Sequence, residues 1–459
     1  MTDARPLPLS DAGYGLHCDQ YELTMAQAFL HGGLDGEVSF ELFVRSLPPG
    51  RGYLVAAGLE QALAYLEGLR LEPADLEWLA RQGIYQGDFI DHLSRLRFTG
   101  RVEAIAEGTV IGAEVPLLRV TARRIEATLV ESALLAIVNH QTLIATKAAR
   151  IVDAAAGRPV WDFSLRRLHG PDAALGVARA AYIAGAAGTA TAVAGRRLGI
   201  PTTGTMAHHY VLAFGPAGER AAFESFLREY PGLAVLLVDT YDVERGVANA
   251  IAASRAAGVT LAGIRIDSGD LAEHARSARR MLDAAGLRVT RILASNDLDE
   301  YRIDALVRAG APVDGFGVGT MLGTSADAPA LGGVYKLVAQ CEEGVDRPVM
   351  KLSAAKRTDP GVHQVFREPG RGDVLALVDE TLPGEPLLHR VMEAGRTCVT
   401  LPPLEVIRVH CLAEREALPA AVRRIDDPQA WPVRRSPRLL ALRASLGDGG
   451  GDAVRGRIA

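Results

Sequence analysis

Two adjacent histidines, His208 and His209, close the stretch Gly204-Thr205-Met206-Ala207-His208-His209-Tyr210. An apolar, turn-rich approach (Leu198 to Thr203) precedes them and a helix-like run follows, so the stretch reads as a strand-to-helix junction. Small residues at such a junction let a ligand approach the backbone, and the first amides of a helix can hold an anion. A histidine facing that pocket can act as acid, base or phosphoryl acceptor near neutral pH. For these seven residues alone, two ordinary loop or core histidines are the simpler account. Their company argues for chemistry. Other apolar runs also end in ligand-capable residues: Asp162-Phe163-Ser164-Leu165-Arg166-Arg167, Asp239-Thr240-Tyr241-Asp242, Arg265-Ile266-Asp267-Ser268-Gly269-Asp270, Ser295-Asn296-Asp297 and Gly315-Phe316-Gly317-Val318-Gly319-Thr320. One such ending is a helix cap. Six in register point to a site.

The residue types indicate its ligand. Gly315 to Thr320 would expose backbone amides as a phosphate cradle. Arg166, Arg167 and Arg265 add guanidinium groups suited to phosphate or carboxylate. Because Arg166 and Arg167 are neighbours, one of them is expected to turn away into a structural salt bridge. Asp267 and Asp270 are placed to hold ribose hydroxyls or water on Mg²⁺. Together they describe a site for a sugar phosphate carrying a diphosphate.

The elements that position these residues follow from hydrophobic patterning. Asp239, Asp267 and Ser295 recur at equal spacing, each after an apolar run and before a helical segment. Regular βα units of this kind predict a parallel sheet, and a barrel rather than an open one, with the site at the C-terminal strand ends. Before them, Cys18–His31 reads as a helix with Tyr21 in its first turn, Val38–Val44 as a strand, Leu54–Leu69 as an amphipathic helix, and 99–121 as short strands. Ile125–Ala156 is a long helical stretch, apolar nearly all round, of the kind that is buried. The expected domains are 1–125, an N-terminal α/β domain completed by part of 335–430; 126–334, the barrel with the site; 335–432, a segment packing on both; and 433–459, a loosely ordered tail rich in Arg, Gly and Asp.

Bulk composition narrows the class. The 459 residues are 48% hydrophobic and 23% charged, with a net charge of -5. An acidic balance argues against a nucleic-acid partner. Cys18, Cys341, Cys398 and Cys411 form no CxxC pair, which leaves zinc and redox motifs unsupported and fits a reducing cytoplasm. No signal peptide or membrane span is expected. Neither a dinucleotide-binding glycine fingerprint nor a P-loop is found.

The motifs occur in a recognisable order: Tyr21 with Leu23-Thr24-Met25; Phe40 to Phe43 with Arg45, Leu47 and Pro48; Asp162-Phe163 with Arg166-Arg167; Gly204 to His208; Ile266 to Leu271; Ser295 to Asp299; Gly315 to Thr320; Gly333 to Leu337; and Lys351-Leu352-Ser353 with Lys356. Over roughly residues 14–410 the chain resembles the nicotinate phosphoribosyltransferases. The resemblance implies the type II phosphoribosyltransferase fold, an irregular α/β barrel with an additional α/β domain from the N-terminal part plus later chain. It implies joining of nicotinate to 5-phosphoribosyl 1-diphosphate, giving nicotinate mononucleotide and diphosphate, in the first step of NAD synthesis from nicotinate. It further implies coupling to ATP hydrolysis through a phosphohistidine, a Mg²⁺ requirement, and a homodimer with a shared active site. By position, His208 is the phosphorylated histidine, although His209 stands where a serine is common. Phe163 and Tyr21 resemble the pair that sandwiches the pyridine ring, with Tyr21 arriving from the partner subunit. Thr205 and Arg265 resemble nicotinate contacts, Arg166, Gly317, Gly319 and Thr320 phosphate contacts, and Asp267 the ribose or Mg²⁺-water residue. Ser164 replaces a common glycine and His169 a common glutamine. The related nicotinamide enzymes carry an aspartate in a segment that here runs Gly188 to Gly195 without any acid, which favours the acid substrate. The alternatives are a nicotinamide phosphoribosyltransferase and a catalytically silent nucleotide-binding paralogue.

Overall fold

The computed structural model describes residues 14–342, 344–351 and 358–448. Leu352, Ser353 and Lys356 of the last motif lie outside them. The chain divides into two compact units, one taking residues up to Leu143 and again from Ala330, the other Ile144–Pro329.

The first unit is built on a seven-stranded antiparallel sheet. Its strands run in the order Val345–Pro348, Gly333–Glu342, Glu37–Val44, Pro116–Arg123, Arg101–Ile105, Leu388–Glu393 and Arg396–Thr397. Gly333–Glu342 pairs with Glu37–Val44 from Val38 to Val44. This pairing draws residues after 330 into the N-terminal unit and moves the boundary ahead of the expected 334/335. The other boundary lies inside the helix Glu131–Ala154 rather than before it, because Leu134, Ile137, Val138 and Leu143 belong to this unit's core. The expected helix over 54–69 starts only at Leu59, since Leu54–Val55 pairs as a strand with Val110–Ile111.

The stretch from 433, expected to be loose, is ordered through Asp448. Val433–Arg435 adds a parallel strand to Gly372–Leu377, and Pro437–Asp448 is a helix with Leu439 fully buried. Its arginines looked like a solvated tail, but four of them find carboxylates: Arg434 meets Glu368, Arg435 and Arg443 share Asp359, and Arg438 meets Asp379.

The second unit is an irregular α/β barrel. Its parallel strands lie in the order Gly188–Thr189, Val160–Asp162, Gly315–Val318, Arg291–Ala294, Gly263–Ile266 and Val235–Leu237. The last strand in the chain pairs with the first, and Thr189 is bridged in parallel to Thr202. Going round, the order is that of the chain, as in a closed barrel. Among the described residues no ladder joins Thr202 to Val235–Leu237. That seam is where His208 lies.

In the first unit Glu41 is fully buried. Its Oε2 is 2.6 Å from His363 Nδ1 and its Oε1 3.8 Å from the Arg119 guanidinium. Burial alone would raise the Glu41 carboxyl, but His363 and Arg119 outweigh it and hold the pKa below the ordinary 4.5. A depressed carboxylate stabilises the fold above its unfolded pKa and loses that contribution as pH falls through the folded value. Glu41→Gln should therefore cost about 3 kcal/mol near neutral pH. The gap in thermal midpoint between variant and parent should narrow as pH falls below 4.5, as measured by melts across pH.

Candidate active site at the open seam of the barrel

Three strand ends in the barrel repeat one device. Asp239, Asp267 and Asn296 each precede by three positions an aspartate, Asp242, Asp270 or Asp299, that caps the following helix. The Asp242 side chain accepts from Arg245 N at 2.8 Å, Asp270 from Ala272 N and Glu273 N at 3.0 Å, and Asp299 from Arg302 N at 2.8 Å. Asp270 is thus a helix cap, and it does not line the cleft described below. Its donors hold its carboxyl below the usual range. The first member of each set is left at the strand end.

A solvent-open cleft of about 590 Å³ occupies these ends, lined by Phe163, Arg166, Arg167, Arg265, Asp267, Ser295, Asn296, Asp297, Gly317, Gly319 and Thr320. Of the predicted site residues, Phe163, Arg166, Arg167, Arg265, Asp267, Gly317, Gly319 and Thr320 are in that lining, and Thr205, His208 and Asp270 are not. Thr205 joins it through Arg265, whose Nη1 donates to Thr205 Oγ1 at 2.8 Å. The Arg265 guanidinium lies 6.0 Å from the Phe163 ring centroid. Burial lowers the Arg265 pKa, Asp267 and Asp239 oppose this, and Arg166 adds to it. Its Nε is buried without a hydrogen-bond partner. A cation held beside an aromatic face is fitted to an aromatic carboxylate.

Arg166 and Arg167 both line the cleft, contrary to the expectation that one would turn away. The short 3₁₀ turn Leu165–Arg167 exposes the two together, and neither makes an ion pair among the described residues. The turn is anchored by Asp162. Its Oδ1 accepts from Ser164 N at 2.9 Å and from Ser164 Oγ at 2.5 Å, and its Oδ2 accepts from Thr189 Oγ1 at 2.7 Å. Burial pushes the Asp162 carboxyl up against these donors. Ser164, in place of the common glycine, is accommodated because Gly323 leaves it room: a Cβ there would lie 2.4 Å from Ser164 Cβ. Gly317 does the same for the aromatic ring, since its Cβ would fall 2.3 Å from Phe163 Cε2.

His208 stands across the seam. Its Nδ1 is 3.2 Å from Thr240 Oγ1, and its Nε2 faces Asp239 Oδ1 at 4.0 Å and Asp267 Oδ2 at 3.9 Å. Asp239 accepts from Asp267 N at 2.9 Å and Ser268 Oγ at 2.6 Å through Oδ2, leaving Oδ1 buried without a hydrogen bond. Asp267 Oδ1 is bonded to Ser295 Oγ. His209 is exposed on the next helical position. Tyr21 belongs to the other unit, 46% exposed, with its hydroxyl donating to Glu131 and its pKa pushed up to about 12 by burial and by Glu131, Glu22 and Asp19. Asp239, Thr240 and Ser295 received no separate role from the sequence. The signal was their place at strand ends, one residue type among several there.

Family models for the nicotinate phosphoribosyltransferase N-terminal domain and C-terminal domain match residues 16–139 and 366–443. A nicotinate phosphoribosyltransferase of Mycobacterium tuberculosis, pncB2, is 46% identical over 94% of this chain and 93% of its own length. The human nicotinate phosphoribosyltransferase is 31% identical over 93% of this chain and 96% of its own. A crystal structure of human nicotinic acid phosphoribosyltransferase superposes with a TM-score of 0.83 at 30% identity, covering 93% of this chain and 99% of that one. The fold is thus that of the type II phosphoribosyltransferases. Within that class, the chain belongs to the nicotinate phosphoribosyltransferase family.

Gly317→Ala should push the Phe163 ring from its place over the strand. We expect at least a roughly tenfold weaker affinity for nicotinate mononucleotide by calorimetry, with the thermal midpoint changed little, since the contact is a side chain at a cleft wall.

Proposed function

We propose that this protein joins nicotinate to 5-phosphoribosyl 1-diphosphate, yielding nicotinate mononucleotide and diphosphate, and couples the reaction to ATP hydrolysis through His208. The observation that carries the reading is the pairing in one cleft of Arg265 against Phe163 with Arg166, Arg167 and the Gly319–Thr320 backbone. The first pair suits a carboxylated aromatic ring and the second a polyphosphate. The names of the relatives support the same substrates. The absence of an acid from Gly188 to Gly195 supports nicotinate over its amide, because a carboxylate there would repel the acid substrate.

The pyridine nitrogen attacks C1 of the ribose with its lone pair, the C1–N bond forms, and the C1–O bond breaks with its electrons passing to diphosphate. The nitrogen carries no proton to lose, so no general base is needed. The barrier is charge separation, positive on the sugar and negative on the leaving group. Arg166 and Arg167 stabilise the latter, while Thr205, Arg265 and Phe163 orient the ring. Tyr21 covers the opposite ring face from a second subunit, in a homodimer. Mg²⁺ would ride on the diphosphate and add Lewis-acid stabilisation of the leaving group. Among the described residues no cluster of three or more His, Cys, Asp or Glu could cage a metal. Asp267, partly exposed in the cleft, fits the substrate-chelated ion that one carboxylate contacts.

A nitrogen of His208 attacks the γ-phosphorus of ATP, the P–O bond to ADP breaks, and water later releases phosphate from the ring. While present, the phosphoryl group adds negative charge beside the developing sugar cation and also crowds Asp239 and Asp267. That repulsion favours its later loss. A cytoplasmic location fits this chemistry, and no described helix is long and apolar enough to cross a membrane. The test is turnover with and without ATP, alongside acid-labile ³²P incorporation. His208→Ala should lose both the label and the ATP stimulation while keeping a basal rate, and His209→Ala should keep all three. Full ATP stimulation in His208→Ala would defeat the assignment.

A further inference from the structure

Lys147 has no part in this chemistry, yet it is wholly buried in the barrel unit. Its Nζ lies 2.5 Å from Glu300 Oε2 and 2.8 Å from Asp327 Oδ1. Arg150, on the same helix, meets the other Glu300 oxygen at 3.0 Å. Glu300 is fully buried too. Burial would raise its carboxyl, but the charge and hydrogen bond of Lys147, with Arg150, hold it below the ordinary value. In such a place neither charge has water to fall back on, so the contacts persist together or fail together.

The two carboxylates belong to the two backbone segments that wall the cleft. Glu300 opens the helix Glu300–Arg308, directly after Ser295, Asn296 and Asp297. Asp327 follows the helix Thr320–Gly323, which continues from Gly317 and Gly319. Both segments hold residues in a backbone conformation that costs energy: Asn296 at φ 99°, Asp297 at φ 43° and Ser325 at φ 45°. The only other non-glycine residue of this unit with positive φ, among those described, is Ala156. Such conformations persist where the surroundings over-determine them.

We propose that Lys147 is a positioning residue for the cleft: one buried ammonium, gripping Glu300 and Asp327 at once, fixes the spacing of the 295–297 and 317–320 walls and so the fit of a phosphorylated sugar between them. The kinetic side rests on the function proposed above, whereas the structural side does not.

The test compares Lys147→Met, Lys147→Met/Glu300→Gln and the milder Asp327→Ala in the full-length protein. Hydrogen exchange is followed in peptides spanning 295–299 and 319–327. Lys147→Met should lower the thermal midpoint and speed exchange in both segments. The double variant, which removes one buried charge of each sign, should regain most of the midpoint while both segments stay fast. Asp327→Ala should loosen 319–327 with little change in midpoint. In the two-residue and Asp327 variants the KM for 5-phosphoribosyl 1-diphosphate should rise roughly tenfold while kcat and the KM for nicotinate move less than about threefold. Unchanged exchange in both segments, or kinetics that recover with the midpoint in the double variant, would overturn the proposal. A parent protein that makes no nicotinate mononucleotide would instead defeat the functional reading, and exchange alone would then judge the bridge.

Discussion

A parallel sheet whose last strand pairs with its first must gather its strand ends around one rim. In this barrel the pairing of Gly315–Val318 with Val160–Asp162 imposes that constraint. It brings Phe163 against Gly317 and sets the 3₁₀ turn carrying Arg166 and Arg167 beside Gly319 and Thr320. The circle is left unpaired between Thr202 and Val235–Leu237. There the backbone is free to bulge into Gly204–His208, and side chains span the gap, with His208 reaching Thr240. The irregularity of the barrel and the placing of His208 are thus one fact.

Charge is divided among the strand ends with some economy. The aspartates that close each connection satisfy the first amides of the next helix, a local task open to any short acceptor. Those three positions earlier are held by other strand ends: Asp239 by the Asp267 amide and Ser268, Asp267 by Ser295. Each strand end therefore orients the next round the rim. Arg265 completes the arrangement, a half-buried cation tied to Thr205 and opposed by Asp239 and Asp267. Arg166 and Arg167 have no acidic partner among the described residues and stay open to the cleft.

The residues that line the cleft were the most legible in the sequence, because their types are unusual at strand ends and their order is that of a known family. Phe163, Arg166, Arg265, Asp267, Gly317, Gly319 and Thr320 lie together in the cleft as read. Legibility failed where one residue type serves two purposes. Asp270 looks like Asp267 in the sequence, and only the helix amides 3.0 Å away separate a cap from a cleft residue. The arginines beyond 433 carry the composition of a solvated tail, but carboxylates far away in sequence, such as Asp359 for Arg435, bind them. The domain boundary near 330 was hidden for the same reason, since the strand Gly333–Glu342 takes its partner from residues some three hundred positions earlier. Long-range pairing leaves no local mark.

The central claim is that the cleft takes an aromatic acid and joins it to a ribose diphosphate. Its most direct test is competition: nicotinate and nicotinamide in equal amounts with 5-phosphoribosyl 1-diphosphate, Mg²⁺ and ATP, with the products resolved by mass spectrometry. Nicotinate mononucleotide as the dominant product is the predicted result. A predominance of nicotinamide mononucleotide would contradict the pairing of Arg265 with a substrate carboxylate, and the absence of both products would contradict the catalytic reading itself.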